Sequence, residues 1–209
     1  VAEPNLIEFG AMHGVRLLAD RTRRADLDPK ALGDAYADLG MFLALNLAGD
    51  LELEEYPIQH CQGQRTGVRL RNEAGIAVLL LMRAGLHLGQ GVRSVLRSAQ
   101  FYLVNPKRGE GLSSREMAEI SSGRPHTLII VDSVVNTGGT IRPIFAQAKS
   151  LGVGKVLVMA AVSPVDQANS IAREFRDVRF YFARLSTNSY VGKGGTDTGN
   201  RLFGTPDRE

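Results

Sequence analysis

The chain has 209 residues, 44% hydrophobic and 22% charged, with a formal net charge of +3; this suits one sizeable α/β domain or two small ones. A balance of 25 basic against 22 acidic residues lacks the concentrated basic charge of a dedicated nucleic-acid binder. No apolar run reaches membrane-spanning length, the longest being Ile76–Met82, and the start lacks a secretion-signal pattern.

Cys61 is the only cysteine, so an internal disulfide is excluded and a reducing cytoplasm is expected, with no membrane or nucleic-acid partner. The first part reads as helical, because Leu17, Leu18, Leu32, Tyr36, Leu39, Phe42 and Leu43 recur at helix spacing. Asp28 before Pro29 makes a good N-cap and first helical residue. From Tyr56 to Leu70 the pattern turns to β-like alternation. Strand and helix then alternate: strand Ile76–Met82, helix Leu88–Ser98, strand Phe101–Val104, and a polar stretch from Asn105 to Arg124. A doubly covered strand follows at Thr127–Asp132, then a helix from about Thr140 to Leu151, ended by Gly152 and Gly154. Strand Lys155–Val162, helix Val165–Phe175 and strand Val178–Ala183 complete the alternation. The fold class is therefore α/β, a mainly parallel sheet with helices on both faces. The glycine-rich tail from Ser186 falls outside that repeat, and Tyr190, Leu202 and Phe203 give it anchors for capping the sheet.

The sharpest motif is the run Ile129-Ile130-Val131-Asp132-Ser133-Val134-Val135-Asn136-Thr137-Gly138-Gly139-Thr140. A buried strand enters a turn that opens a helix, the place where parallel sheets bind ligands and where free N–H groups favour phosphate. Gly138 and Gly139 let the main chain approach a phosphate closely, and Thr137 and Thr140 add hydroxyl donors. Asp132 repels phosphate and is suited to accept hydrogen bonds from sugar hydroxyls. The motif lacks the Gly-Lys-Ser/Thr ending of a Walker loop. A glycine turn that merely joins strand to helix is the plain alternative. None of His13, His60, His87 and His126 forms a plausible metal-binding pair with another.

This run resembles the loop of type I phosphoribosyltransferases that binds 5-phosphoribosyl-1-diphosphate (PRPP), in the variant found in uracil phosphoribosyltransferases. Three further segments match in order. Leu81-Met82-Arg83-Ala84-Gly85-Leu86 resembles the family's diphosphate loop, and Arg108 falls where the family carries a second diphosphate-contacting arginine. The tail from Tyr190 to Thr205 resembles the base-binding hood. The resemblance implies one phosphoribosyltransferase domain over residues 1–209, with 186–209 as the hood, transferring phosphoribosyl from PRPP to uracil to give UMP in pyrimidine salvage. It implies Arg83, Arg108 and Asp132 as catalytic residues. The PRPP site would comprise these with Ala84, Gly85, Ser133 to Thr140 (Ser133, Val134, Val135, Asn136, Thr137, Gly138, Gly139, Thr140) and Asp197. Val191, Thr196, Asp197 and Thr198 would meet the base. Mg2+ would accompany PRPP, with Asp197 reaching it through the bound substrate. At least a homodimer is implied.

The tail departs from the family pattern. Thr196 stands where the family has glycine before the Asp, Thr198 replaces alanine, Asn200 an acid and Lys193 a proline; Ser133 replaces a proline after the loop Asp. Two alternatives stay open: the same transfer to another nitrogen heterocycle, and a non-catalytic regulator that binds PRPP or a nucleotide.

Overall fold

The computed structural model describes residues 3–188, 192 and 194–205. In chain order the elements are β1 (Leu6–Glu8), α1 (His13–Arg23), α2 (Pro29–Leu47), β2 (Leu53–His60), β3 (Gly63–Leu70) and β4 (Ile76–Leu81). They continue with α3 (Gly85–Val95), β5 (Gln100–Val104), α4 (Ser114–Ser122), β6 (Thr127–Val134) and α5 (Ile141–Ser150). The last are β7 (Lys155–Pro164), α6 (Val165–Glu174), β8 (Val178–Ser186) and α7 (Thr198–Phe203).

The apolar strands have both faces covered, so they assemble as one sheet in the order β1-β8-β7-β6-β4-β5, every neighbour parallel. On one face Leu79, Ile130 and Phe180 pack with Ile144 and Phe145 of α5 and Ile171 of α6. On the other, Val78, Ile129 and Met159 pack with Leu39 and Leu43 of α2 and Leu88 of α3. The expected α/β architecture with helical opening and capped carboxyl edge is the one observed. β2 and β3 form a separate antiparallel hairpin, the β-like stretch of the sequence. α2 begins as anticipated: the Asp28 carboxylate accepts from the Ala31 N–H at 2.8 Å, with Pro29 as first helical residue.

Three elements differ from expectation. β1 is too short to show a periodicity, and it exists because Leu6–Glu8 add to the free edge of β8. α4 lies within the stretch from Asn105 to Arg124, whose polarity hid it. It is set by a capping box, with Ser113 Oγ accepting from Glu116 N and the Glu116 carboxylate accepting from Ser113 N at 2.7 Å. α3 starts at Gly85 rather than Leu88, so the helix begins inside the Arg-Ala-Gly turn. Among the described residues no helix is long and apolar enough to cross a membrane.

Candidate active site

β6 runs out of the core between β4 and β7, and the turn after it lies on the carboxyl edge of the sheet. Gly138 is buried with φ +74°, a conformation that a side chain resists, and a Cβ there would come within 2.6 Å of Ile171 Cδ1. Its carbonyl accepts from Ile141 N and Arg142 N, which starts α5. Among the described residues no acceptor meets the N–H groups of Thr137, Gly138 and Thr140, leaving the N-terminal donors a phosphate needs. Val135 is turned inward: its side chain is in the core and its N–H donates to Val162 O at 3.1 Å. Val134 and Asn136 are half-buried beside it.

Asp132 is half-buried at the top of β6, and its Oδ1 accepts from Ser133 N at 2.7 Å. Burial pushes its carboxyl up from the ordinary 3.8 to about 7, and the backbone N–H groups of Ser133 and Val134 oppose that shift. An acid near neutrality at a ligand edge is a functional marker. Its burial exceeds what a strand-end acid in the sequence suggested.

The Arg83-Ala84-Gly85 turn lies directly against this strand. A Cβ on Gly85 would stand 2.5 Å from Val131 O, so only glycine permits that approach. Ser133, fully buried, donates its hydroxyl to Ala84 O at 2.5 Å. The serine thus fastens the arginine turn to the strand bearing Asp132. Ser133→Ala is expected to cost about 1 kcal/mol of stability and to raise the KM for PRPP more than it lowers kcat, as urea denaturation and initial rates will report.

Arg108 reaches the same place from the β5–α4 connection. Its Nη2 donates to Thr137 Oγ1 at 3.1 Å, and Gly109 N donates to Gly139 O at 3.1 Å. An open cleft of about 130 Å³ is lined by Arg108, Asp132 and the segment from Val134 to Ile141. A second, of about 520 Å³, continues from Asn136 and Thr137 past Pro164–Gln167 to Ser186 and Thr187.

The tail closes over the arginine turn. Arg83 Nη2 donates to Asn200 Oδ1 at 2.7 Å and Nη1 to Thr205 Oγ1 at 3.1 Å. Sequence reasoning did not assign Asn200 and Thr205 this role, although both lie in the matched hood. Asp197 caps α7, its Oδ1 accepting from Asn200 N at 2.8 Å. A Cβ on Gly199 would lie 3.1 Å from that carboxylate and 3.5 Å from the Arg83 guanidinium, so tail and turn meet closely. Thr198 is buried and Thr196 is exposed. Among the described non-glycine residues only Asn72 and Arg124 have positive φ, so Thr196 does not occupy the left-handed region. Val191 lies outside the described residues.

No three His, Cys, Asp or Glu side chains cluster into a metal cage among the described residues. The oxygen donors at this edge, Asp132 and Asp197, fit Mg2+ held by one or two carboxylates plus substrate phosphates.

A parallel sheet with an acid, a Gly-Gly turn and two arginines at its carboxyl edge defines an enzyme of the phosphoribosyltransferase class. A family model described as uracil phosphoribosyltransferase matches residues 12–205. The chain belongs to the uracil phosphoribosyltransferase family. It is 24% identical over 176 residues to the uracil phosphoribosyltransferase of Methanococcus maripaludis (strain C5 / ATCC BAA-1333), covering 80% of this chain and 76% of that protein. It is 27% identical over 192 residues to that of Macrococcus caseolyticus (strain JCSC5402), covering 88% of this chain and 90% of the relative. The solved AQ2163 protein from Aquifex aeolicus superposes with a TM-score of 0.74 at 19% identity, covering 96% of this chain and 99% of that one. That likeness concerns the fold.

Proposed function

We propose that this enzyme transfers the 5-phosphoribosyl group of PRPP to a ring nitrogen of uracil, releasing diphosphate and forming UMP. The observation that carries the reading is that Asp132 and Arg108 border the turn entering α5 while the Arg83-Ala84-Gly85 turn abuts the strand leading into it. In this reading the free N–H groups of Thr137, Gly138 and Thr140 hold the 5-phosphate, and Asp132 accepts from the ribose hydroxyls. Arg83 and Arg108 neutralise the departing diphosphate. Bond breaking runs ahead of bond making, so charge placement matters more than a protein nucleophile. Mg2+ entering with PRPP supplies further neutralisation of the diphosphate. Closure of the tail and the Arg108 connection excludes water that would hydrolyse PRPP. Residues 186–209 serve as the base-binding hood of a single catalytic unit, with Thr196, Asp197 and Thr198 at the base and Asp197 toward the metal-bound substrate.

A second reading, transfer to another nitrogen heterocycle, is favoured by Thr198, which is 6% exposed and so adds a methyl and a hydroxyl inside the hood. Diphosphate release from PRPP with Mg2+ over a panel of bases tests both. Uracil turnover is expected to be slow and to rise at least tenfold in the Thr196→Gly/Thr198→Ala double variant, since one mismatched polar group in a pocket costs orders of magnitude in specificity. Vigorous UMP formation unaffected by the double substitution would remove the threonines from base selection. PRPP protection against thermal unfolding with no diphosphate release on any base points to the regulator reading.

A further inference from the structure

The 520 Å³ cavity beside the phosphate turn is bordered at its far side by Ser186 and Thr187. Those two residues also line a cavity of about 380 Å³ between α1 and the carboxyl ends of β1 and β8. Ser186 and Thr187 therefore border both the cavity at Asn136 and Thr137 and the one at Arg16, Arg23 and Arg184. Register places Val134 opposite Val162 and Val162 opposite Arg184, so Arg184 stands two strand spacings, about 10 Å, from the turn.

Three arginines and two acids border this end, and most of that charge is already used. Arg23 pairs with Asp20 at 2.7 Å, and Glu8 Oε1 accepts from Gly10 N at 2.7 Å. Arg184 is half-buried, and among the described residues neither its guanidinium nor that of Arg16 has a hydrogen-bond acceptor or an ion-pair partner. Burial holds the Arg184 guanidinium below its usual range, the Arg23 charge adds to this, and Tyr36 and Asp20 oppose it. A half-buried unpaired cation is a cost to the free fold that an anion would remove. Arginine suits a planar carboxylate in particular, because its fork matches two oxygens at once.

We propose that the acceptor base carries an anionic substituent, a carboxylate on the pyrimidine ring, and that Arg184, assisted by Arg16, reads it. The inference rests on the phosphoribosyl-transfer reading and gives its second form a substrate class. The phosphate turn holds PRPP, the heterocycle lies at Ser186 and Thr187, which both cavities share, and its charged edge faces Arg184. A neutral base would give Arg184 no anion to pair with, so unsubstituted uracil is expected to be the poorer acceptor independently of the threonines.

The test measures diphosphate release from PRPP and Mg2+ with uracil, 6-carboxyuracil and 5-carboxyuracil. The expected result is a kcat/KM for one carboxylated base at least tenfold above that for uracil. That ratio should fall at least tenfold in Arg184→Gln and recover in part in Arg184→Lys. Arg16→Gln, at an exposed helical position, should lower the same ratio by raising the KM for the carboxylated base. PRPP protection against thermal unfolding, with uracil used and neither carboxylated base accepted, overturns the inference and leaves phosphoribosyl transfer standing. So does a ratio unchanged by Arg184→Gln. Absence of both PRPP protection and diphosphate release with any base overturns the transfer reading and the inference with it.

Discussion

Arg83→Ala is expected to weaken PRPP binding by roughly ten- to a hundredfold while binding of ribose 5-phosphate changes little. The guanidinium sits in a turn pressed against β6, and among the described residues its hydrogen-bond partners are neutral, Asn200 Oδ1 and Thr205 Oγ1. Its positive charge is therefore available to a diphosphate, and a hydrogen bond to a charged group contributes about 1.5–3 kcal/mol. Thermal unfolding reads this directly. At a PRPP concentration near 100 times the dissociation constant, linkage stabilises the wild type by about 2.7 kcal/mol, and a hundredfold weaker site retains only about 0.4 kcal/mol. Removing the side chain also loosens the tail from the turn, so Asn200→Ala/Thr205→Val is the companion variant: it removes both of these contacts and keeps the cation. PRPP protection retained by Asn200→Ala/Thr205→Val and lost by Arg83→Ala assigns the effect to the charge. Equal losses of protection for PRPP and ribose 5-phosphate would put Arg83 outside the leaving-group pocket.

Asp132→Asn is expected to slow turnover while stabilising the free protein at alkaline pH. Loss of a charged acceptor for the sugar hydroxyls should cost about 1.5–3 kcal/mol, a factor of roughly 10 to 150 in kcat/KM. Stability should move the other way, because the carboxyl is raised from 3.8 to about 7 by burial. Between those values the folded protein binds more protons than the unfolded chain, so wild-type stability falls as pH rises from about 4 to about 7. The full difference is on the order of 4 kcal/mol, an upper bound since the residue is only half-buried against the cavity. In Asp132→Asn that slope should disappear, and the gain over wild type should be largest near pH 8. Denaturant midpoints at pH 5 and pH 8 check this. The same protonation makes PRPP affinity decline below about pH 7, because only the ionised acid accepts from both hydroxyls. Wild-type turnover in the variant would take Asp132 out of the site.

Much of this protein was decided locally and could be read from its residues. Strands β4, β6 and β7 are apolar on both faces, which allows only a covered parallel sheet, and Asp28-Pro29 states a helix start without any tertiary help. Asp132 through Thr140 could be recognised because strand, acid, paired glycines and helix entry follow one another in the chain. Even α4 carried a local signal, Ser113 with Glu116, masked by the polarity around it. What no local pattern contained is contact between distant segments. Ser133 looks like a loop residue in sequence, yet the pleat buries it, and its hydroxyl finds Ala84 49 residues away. Arg83 meets Asn200 and Thr205 across 117 and 122 residues, because α7 folds back over the turn. β1 exists only because the edge of β8 offers unpaired backbone groups to Leu6–Glu8. The Asp132 shift has the same origin, since burial depends on what neighbouring elements cover rather than on flanking residues. Arg184 was silent in sequence as one arginine among many, and only the order of β6, β7 and β8 in the sheet set it two strands from Val134. Hydrogen-bond propensities and side-chain periodicities act over a few residues, whereas register and docking are fixed by the whole core, and the site is built at their junctions.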